Sequence, residues 1–327
     1  MCTAISFGGY AGRNLDVDSE YGEKIIISPR SYSFSFKCTA SIDSHYAIIG
    51  IGISEDNYPL YFDAANEKGL YIAGLNYVGN AKYLPQAADK INLAPYELIP
   101  YLLSRCATVA EAEYELSRIN LTNIPFRSDI PLSELHFFIS DSGTSIVAEP
   151  DVDGLKIYKN PAHVLTNNPP FPIQLFNLNN YMHLTSEPAE NHFSSSLPLS
   201  RYSFGMGAIG LPGDLSSASR FVRATFHRAN LCGKGTLADI LHLLTSVEMP
   251  NGSVRLGCRF ERTEYTSAVD LTRLIYSYRK YDSPSTYAVR LSNESVDGSS
   301  LIYLELINEK EPLITNGSVT SQLLNKI

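Results

Sequence analysis

Apolar and polar positions alternate at short period through most of the chain. In the first third, CTAISF (2–7), KIIISP (24–29), SYSFSFK (31–37), YAIIGIGI (46–53) and GLYIAGLNY (69–77) are β-branched or aromatic runs, each closed by Gly, Pro, Asn or Asp, and each predicts a strand. YAIIGIGI is apolar throughout, which marks a strand buried on both faces; it is too short to span a bilayer. The spacing then lengthens. TVAEAEYELSRIN (108–120) repeats Val109, Ala112, Leu116 and Ile119 at helical intervals, with Thr108 and Glu111 placed as a capping box. LHFFISD, TSIVAEP and GLKIYKN return to strand spacing. SASRFVRATFHRANLC, closed by Gly233, and TLADILHLLTSV, with Leu237, Ile240, Leu241 and Leu244 on one face, predict two more helices. EYTSAVDL, RLIYSYRK, TYAVRLS and SLIYLELI end the pattern as strands. Strands and helices come in runs without regular βαβ alternation, so the expected class is α+β with largely antiparallel sheets. No repeat or linker divides the chain, and one domain over 1–327 is expected. SEPAENHFSSSLPLSR (186–201) reads as a long surface loop.

Composition narrows the chemistry. Of 327 residues 44% are hydrophobic and 18% charged, with a net charge of −8, so a nucleic-acid footprint is not expected. No membrane span and no secretion signal are read from the chain. Five scattered cysteines, Cys2, Cys38, Cys106, Cys232 and Cys258, suit reduced thiols and a cytoplasmic setting. The seven histidines show no metal-ligand spacing.

The N-terminus carries the sharper signal. Gly8-Gly9 suits a two-residue primed turn, since glycine accepts positive φ. Phe7 then pairs with Tyr10, Ala4 with Arg13 and Cys2 with Leu15, so Cys2, Ala4, Arg13 and Leu15 share one face. Asp16 falls opposite Met1 with its side chain starting toward the other face, and a bulge or strand end is needed to bring it round. A guanidinium beside a thiol favours the thiolate. Removal of Met1 would leave Cys2 with a free α-amine, a group that titrates at roughly 7.7–8.0 and suits general acid–base work. Read on these residues alone, Cys2 serves equally as a small buried apolar side chain, and Arg13 with Asp16 as an ion pair at a sheet edge.

Six ordered blocks, MCTAISF, GRNLDVD, NEKGLYIAGLNY, HVLTNNP, GLPGDLSSASRFVRA and EYTSAVD, resemble the motifs of the choloylglycine hydrolases, the family of bile salt hydrolases and penicillin V acylases. The resemblance covers nearly the whole chain. It implies a four-layer αββα sandwich of the N-terminal nucleophile hydrolase type, a homotetramer, and no metal or organic cofactor. It also implies that Cys2 is the nucleophile once Met1 is removed, that Arg13 and Asp16 tune the thiol and hold the α-amine, and that Arg220 is a second active-site arginine. Asn76, through its main-chain N–H, and Asn167, through its side chain, would bind the oxyanion. Both asparagines also sit in turn-like sequence, where Asn is common without any catalytic role.

The implied substrates are glycine- or taurine-conjugated bile acids, because the family's bile salt hydrolases tend to carry Asn at the position of Asn76 and its penicillin V acylases Tyr. Penicillin V or N-acyl-homoserine-lactone acylase activity on the same residues is the alternative, and a non-catalytic bile-acid or lipid-binding protein a more distant one. Leu15 is a candidate wall of the acyl pocket, which segments 17–22, 53–61 and 123–132 are expected to shape. The chain departs from the relatives in a shorter Cys2-to-Arg13 connection and in the absence of Trp.

Overall fold

The structure, a computed structural model, describes residues 1–312; residues 313–327, which the one-domain expectation also takes in, lie outside the described residues. Gly8 (φ 58°) and Gly9 (φ 84°) make the expected primed turn. It pairs β1 (Cys2–Phe7) with β2 (Tyr10–Val17) in the register derived from the sequence: Phe7 with Tyr10, Ala4 with Arg13, Cys2 with Leu15. Gly8 has a second reason to lack a side chain, because a Cβ there would lie 2.2 Å from the Gly235 Cα.

This hairpin is the middle of an antiparallel sheet. The Val164–Leu165 strand flanks β1, and the Arg259–Asp270, Ile275–Lys280 and Tyr287–Arg290 strands follow β2 in that order. A second antiparallel sheet of eight strands faces it, with Tyr71–Asn76 between Leu135–Ser140 and Tyr58–Asn66 near its centre. Its strands explain their own sequences. Ile25, Ile27, Ile49 and Ile51 enter the core shared with the first sheet. Ile26 and Ile48 enter a separate core beneath α1 (Leu98–Arg105) and α2 (Val109–Leu116). Both faces are buried, so KIIIS and AIIGIGI lose their polar alternation. On the outer face of the first sheet lie α3 (Phe171–Asn177), α4 (Ser217–Asn230) and α5 (Leu237–Thr245). They contribute Phe171, Phe221, Ile240 and Leu244 to the core around that sheet. The order of layers is therefore helix, sheet, sheet, helix.

Some local expectations give way. SYSFSFK forms no strand; Tyr32 and Phe34 are buried in alternation, but the segment makes a single bridge, Phe34 with Ile42, and is held by aromatic packing. Helices α1 and α3 have no counterpart in the sequence reading, since both are short and carry Pro in or beside their first turns. Helix α4 ends at Asn230 with an extended Leu231, ahead of Gly233. In α2, Thr108 accepts from Glu111 N–H, but the Glu111 carboxylate reaches back to Ala107 N–H, one residue beyond a capping box.

One titrating group ties the edge of the first sheet to solution conditions. The carbonyl of His163 accepts from Ser6 N–H of β1, and its imidazole lies 3.1 Å from Ser145 Oγ. Burial, reinforced by the Arg228 charge, pulls this imidazole from 6.5 down to about 4. Between those values the unfolded chain binds a proton that the folded chain refuses, so stability falls as pH drops through the window. His163→Asn, which tolerates the residue's positive φ, is expected to flatten the fall in urea midpoint between pH 6.5 and pH 4. An unchanged slope would locate the acid sensitivity elsewhere.

Candidate active site

Strand alternation brings Cys2, Arg13 and Leu15 to the face between the two sheets, as the hairpin register requires. Cys2 is 2% exposed, and Arg13 Nη2 donates to its Sγ at 2.6 Å. The guanidinium is fully buried, and the second sheet is built to receive it. On the Tyr58–Asn66 strand the register slips at Phe62, which is left out of the pairing with Ile48–Glu55. Pairing between Tyr58–Asn66 and Tyr71–Asn76 stops at Ala73. The carbonyls of Phe62 and Gly74, freed by these two irregularities, accept from Arg13 Nη1 at 2.9 and 2.7 Å. Burial opposes the Arg13 charge, but the negative fields around it, those of Cys2 and Asp63 among them, outweigh it and hold the proton more firmly.

The same opening orients Asn76. Tyr77 N–H faces Glu134 on the neighbouring strand, so by alternation the N–H and C=O of Gly74 and Asn76 face the gap. The Asn76 carbonyl accepts from Asn167 Nδ2 at 2.8 Å, and the Asn76 N–H is directed into the same space. Asn167 Oδ1 in turn accepts from Cys2 N–H at 2.9 Å and from Arg220 Nη2 at 2.7 Å. Arg220 leaves the first turn of α4 and its Nη1 donates to the Cys2 carbonyl at 2.6 Å.

Asp16 stays on the helix side of the first sheet. No bulge in β2 brings it round; the irregularity lies on the adjacent strand, between Thr263 and Tyr265. Asp16 Oδ1 accepts from Thr263 Oγ1 at 2.6 Å, Oδ2 has no hydrogen-bond partner, and Arg220 Nη1 is 3.9 Å away. Burial pushes this carboxyl up, against the pull of Arg220 and the N-terminal amine. With Met1 in place that amine donates to the Asp16 carbonyl and to Glu261. Arg13, Asn167 and Arg220 thus contact Cys2 directly, Asn76 is tied to it through Asn167, Asp16 lies 3.9 Å from Arg220, and Leu15 lines the adjoining cavity.

That cavity, of about 390 Å³, is mostly apolar. Beyond Cys2, Arg13 and Asn76 it is walled by Val17 and Tyr21, by Ile53 and Leu60, and by Phe126 and Ile130; each of the three segments expected to shape the pocket contributes. A larger cleft of about 920 Å³ lies among Arg30, Glu67 and Arg105. Its one thiol, Cys106, is pushed up to about 12 by burial, which disfavours the thiolate, and none of the residues grouped around Cys2 lines it.

The sequence reading missed two groups behind the site. His136 places Nδ1 3.0 Å from Glu149 Oε1 and Nε2 2.9 Å from the Thr166 carbonyl, under the stacked ring of Tyr77. Glu149 also accepts from Phe171 N–H at the start of α3, so the pair fixes the Thr166–Asn167 turn. Asp63, the second group, sits behind Arg13. Both were visible in outline as ionisable residues inside apolar strand runs, LHFFIS, SIVAEP and LYFDAA.

The model of the linear amide C–N hydrolases, choloylglycine hydrolase family, matches residues 2–304. The bile salt hydrolase/transferase of Lactiplantibacillus plantarum is 45% identical over 324 residues, covering 97% of this chain and 100% of the relative. The crystal structure of a mutant conjugated bile acid hydrolase from Clostridium perfringens superposes with a TM-score of 0.90 at 32% identity, over 97% of this chain and 100% of that one. The penicillin V acylase of Agrobacterium tumefaciens shares the fold, with a TM-score of 0.70 at 20% identity over 93% and 91% of the two chains. A family model that spans nearly the whole chain and a relative at 45% identity decide the assignment: this chain belongs to the choloylglycine hydrolase family of linear amide C–N hydrolases.

Proposed function

We propose that the protein hydrolyses the amide bond of glycine- or taurine-conjugated bile acids, with Cys2 as nucleophile after Met1 is removed. The observation that carries this reading is the contact of Arg13 with a buried sulfur at the mouth of an apolar cavity. The names of the similar proteins, bile salt hydrolase/transferase and conjugated bile acid hydrolase, supply the substrate class.

In this mechanism the Cys2 sulfur attacks the amide carbonyl carbon while the acyl group lies along Leu15 and the apolar walls. The carbonyl oxygen takes up negative charge between the Asn76 N–H and Asn167 Nδ2; one such donor is worth roughly 3–4 kcal/mol of transition-state stabilisation. The freed α-amine takes the thiol proton and delivers it to the leaving nitrogen. The C–N bond breaks, and glycine or taurine departs from a thioester. Water, deprotonated by the same amine, attacks the thioester carbon, and the C–S bond breaks to release the bile acid and restore the thiol. Asp16 Oδ2, which lacks a partner while Met1 is present, would accept from the new ammonium, and Arg220 and Asn167 Oδ1 would hold the residue's backbone. No step calls on a metal or organic cofactor.

We further propose that the protein acts in the cytoplasm as a homotetramer. More than half of the large apolar side chains exposed among the described residues fall between Ile173 and Ile209, including Phe193, Tyr202 and Phe204 at 82%, 84% and 88% exposure. A second copy of this chain is the partner this segment fits. No helix among the described residues is long and apolar enough to cross a membrane.

Two measurements test these readings. A form carrying a non-cleavable N-terminal extension before Met1, verified by mass spectrometry, is expected to leave glycocholate, taurocholate and penicillin V intact, while the processed enzyme cleaves the two bile salts faster. Normal deconjugation by the extended form would remove the amine from the mechanism. Tyr202→Asp with Phe204→Asp is expected to shift the light-scattering mass from tetramer to smaller species, and an unshifted tetramer would exclude this segment as the interface.

A further inference from the structure

Arg13 feels a buried carboxylate besides the thiol, at longer range than an ion pair. Asp63, fully buried on the Tyr58–Asn66 strand, lies beside Phe62, whose carbonyl Arg13 holds. Four hydroxyls from three other strands converge on its carboxylate. Tyr265 Oη donates to Oδ1 at 2.7 Å; Ser267 Oγ, Tyr71 Oη and Tyr276 Oη donate to Oδ2 at 3.0, 3.2 and 2.5 Å. With three donors on Oδ2 and one on Oδ1 the cage offers the carboxylate four hydrogen bonds, the full set that suits the acceptor-only anion. The tyrosines keep their own protons, because burial raises all three well above the phenol range. Among the described residues the titratable and charged groups nearest Asp63 are Arg13 from β2 and the three tyrosines, with Cys2 beyond the guanidinium.

We propose that Asp63 is a positioning residue whose charge, one residue from the Phe62 carbonyl that Arg13 holds, limits how strongly that cation holds the sulfur of Cys2. This rests on the reading of Cys2 as nucleophile. A second anion near the guanidinium opposes the ionised thiol as a like charge. Remove the Asp63 charge and that opposition is lost; the thiolate is then stabilised, forms at lower pH, and is the weaker nucleophile for it. Asp63 is absent from the cavity lining, so substrate binding is left alone while the chemical step changes.

The test is the pH dependence of iodoacetamide inactivation of the processed enzyme, with kcat and KM for glycocholate measured alongside. Asp63→Asn removes the charge while keeping the shape. Its half-reactivity pH is expected to fall by roughly half a unit or more, with a lower kcat and a KM within about twofold of wild type. Tyr276→Phe covers the case in which Asp63→Asn does not fold. Burial already pushes the Asp63 carboxyl up, so losing a donor raises its neutral fraction and moves the midpoint in the same direction by less. A folded Asp63→Asn with the wild-type midpoint, or an unmoved midpoint in Tyr276→Phe where Asp63→Asn does not fold, overturns the proposal. Wild-type enzyme that survives alkylation of Cys2 would instead overturn the nucleophile reading itself, and the two failures are told apart by peptide mapping of the modified thiol.

Discussion

A guanidinium taken out of water has to find acceptors for its N–H groups, or the fold loses several kcal/mol. Arg13 meets that requirement between two sheets, and the site follows from how it does so. A regular sheet has no spare carbonyls in its interior. The second sheet supplies two by breaking its own pattern twice, with a bulge at Phe62 and a parting of strands after Ala73. The parting has further consequences. It opens the cavity beside Cys2, and it turns the Asn76 N–H into that opening. The seating of the cation, the cavity and the orientation of the Asn76 N–H share one structural cause.

The first sheet divides labour by face. Period-two alternation sends Cys2, Arg13 and Leu15 toward the second sheet, and Thr3, Asn14 and Asp16 toward the helices. Cys2 is placed at the start of β1, where its nitrogen and carbonyl are held by Asn167 and Arg220 while its sulfur faces the cavity. A cysteine further along the strand would have its backbone groups committed to neighbouring strands.

Much of this was legible in the chain. The Gly8-Gly9 turn fixes the register, and the register alone sets Cys2, Arg13 and Leu15 on a common face. Local chemistry of this kind needs no tertiary knowledge. Asp16 was placed opposite Met1 correctly, but its approach was not, because the slip that accommodates it belongs to a strand some 250 residues away in sequence. SYSFSFK shows the opposite failure: its alternation is real, yet no neighbouring strand is free to pair with it, and burial of Tyr32 and Phe34 follows without a ladder. Asp63 was hidden because most of its partners come from strands distant in sequence, and the His136–Glu149 pair because its tie to Thr166 and to the start of α3 is tertiary. A lone acid in YFDAA points to nothing until Tyr265 and Tyr276 are known to face it.

The buried charges also say what the site is for. Burial pushes Asp16 up and pulls Arg220 down, so each ionised group is opposed by its own surroundings. Ion pairs held in this way are seldom a net source of stability, and well-packed apolar residues in their place are often as good or better for the fold. The isoleucine-rich strands and the helix faces above them already provide two extensive cores. The buried Arg13 and Asp63 charges, the Arg220–Asp16 pair and the buried polar His136–Glu149 contact are therefore costs that the cores offset. What they have in common is position: each pair reaches Cys2, or the asparagine that holds it, within one or two contacts. Charges retained where packing would do without them are explained by the chemistry at the sulfur, and the same argument extends that chemistry one layer deeper than the residues touching it.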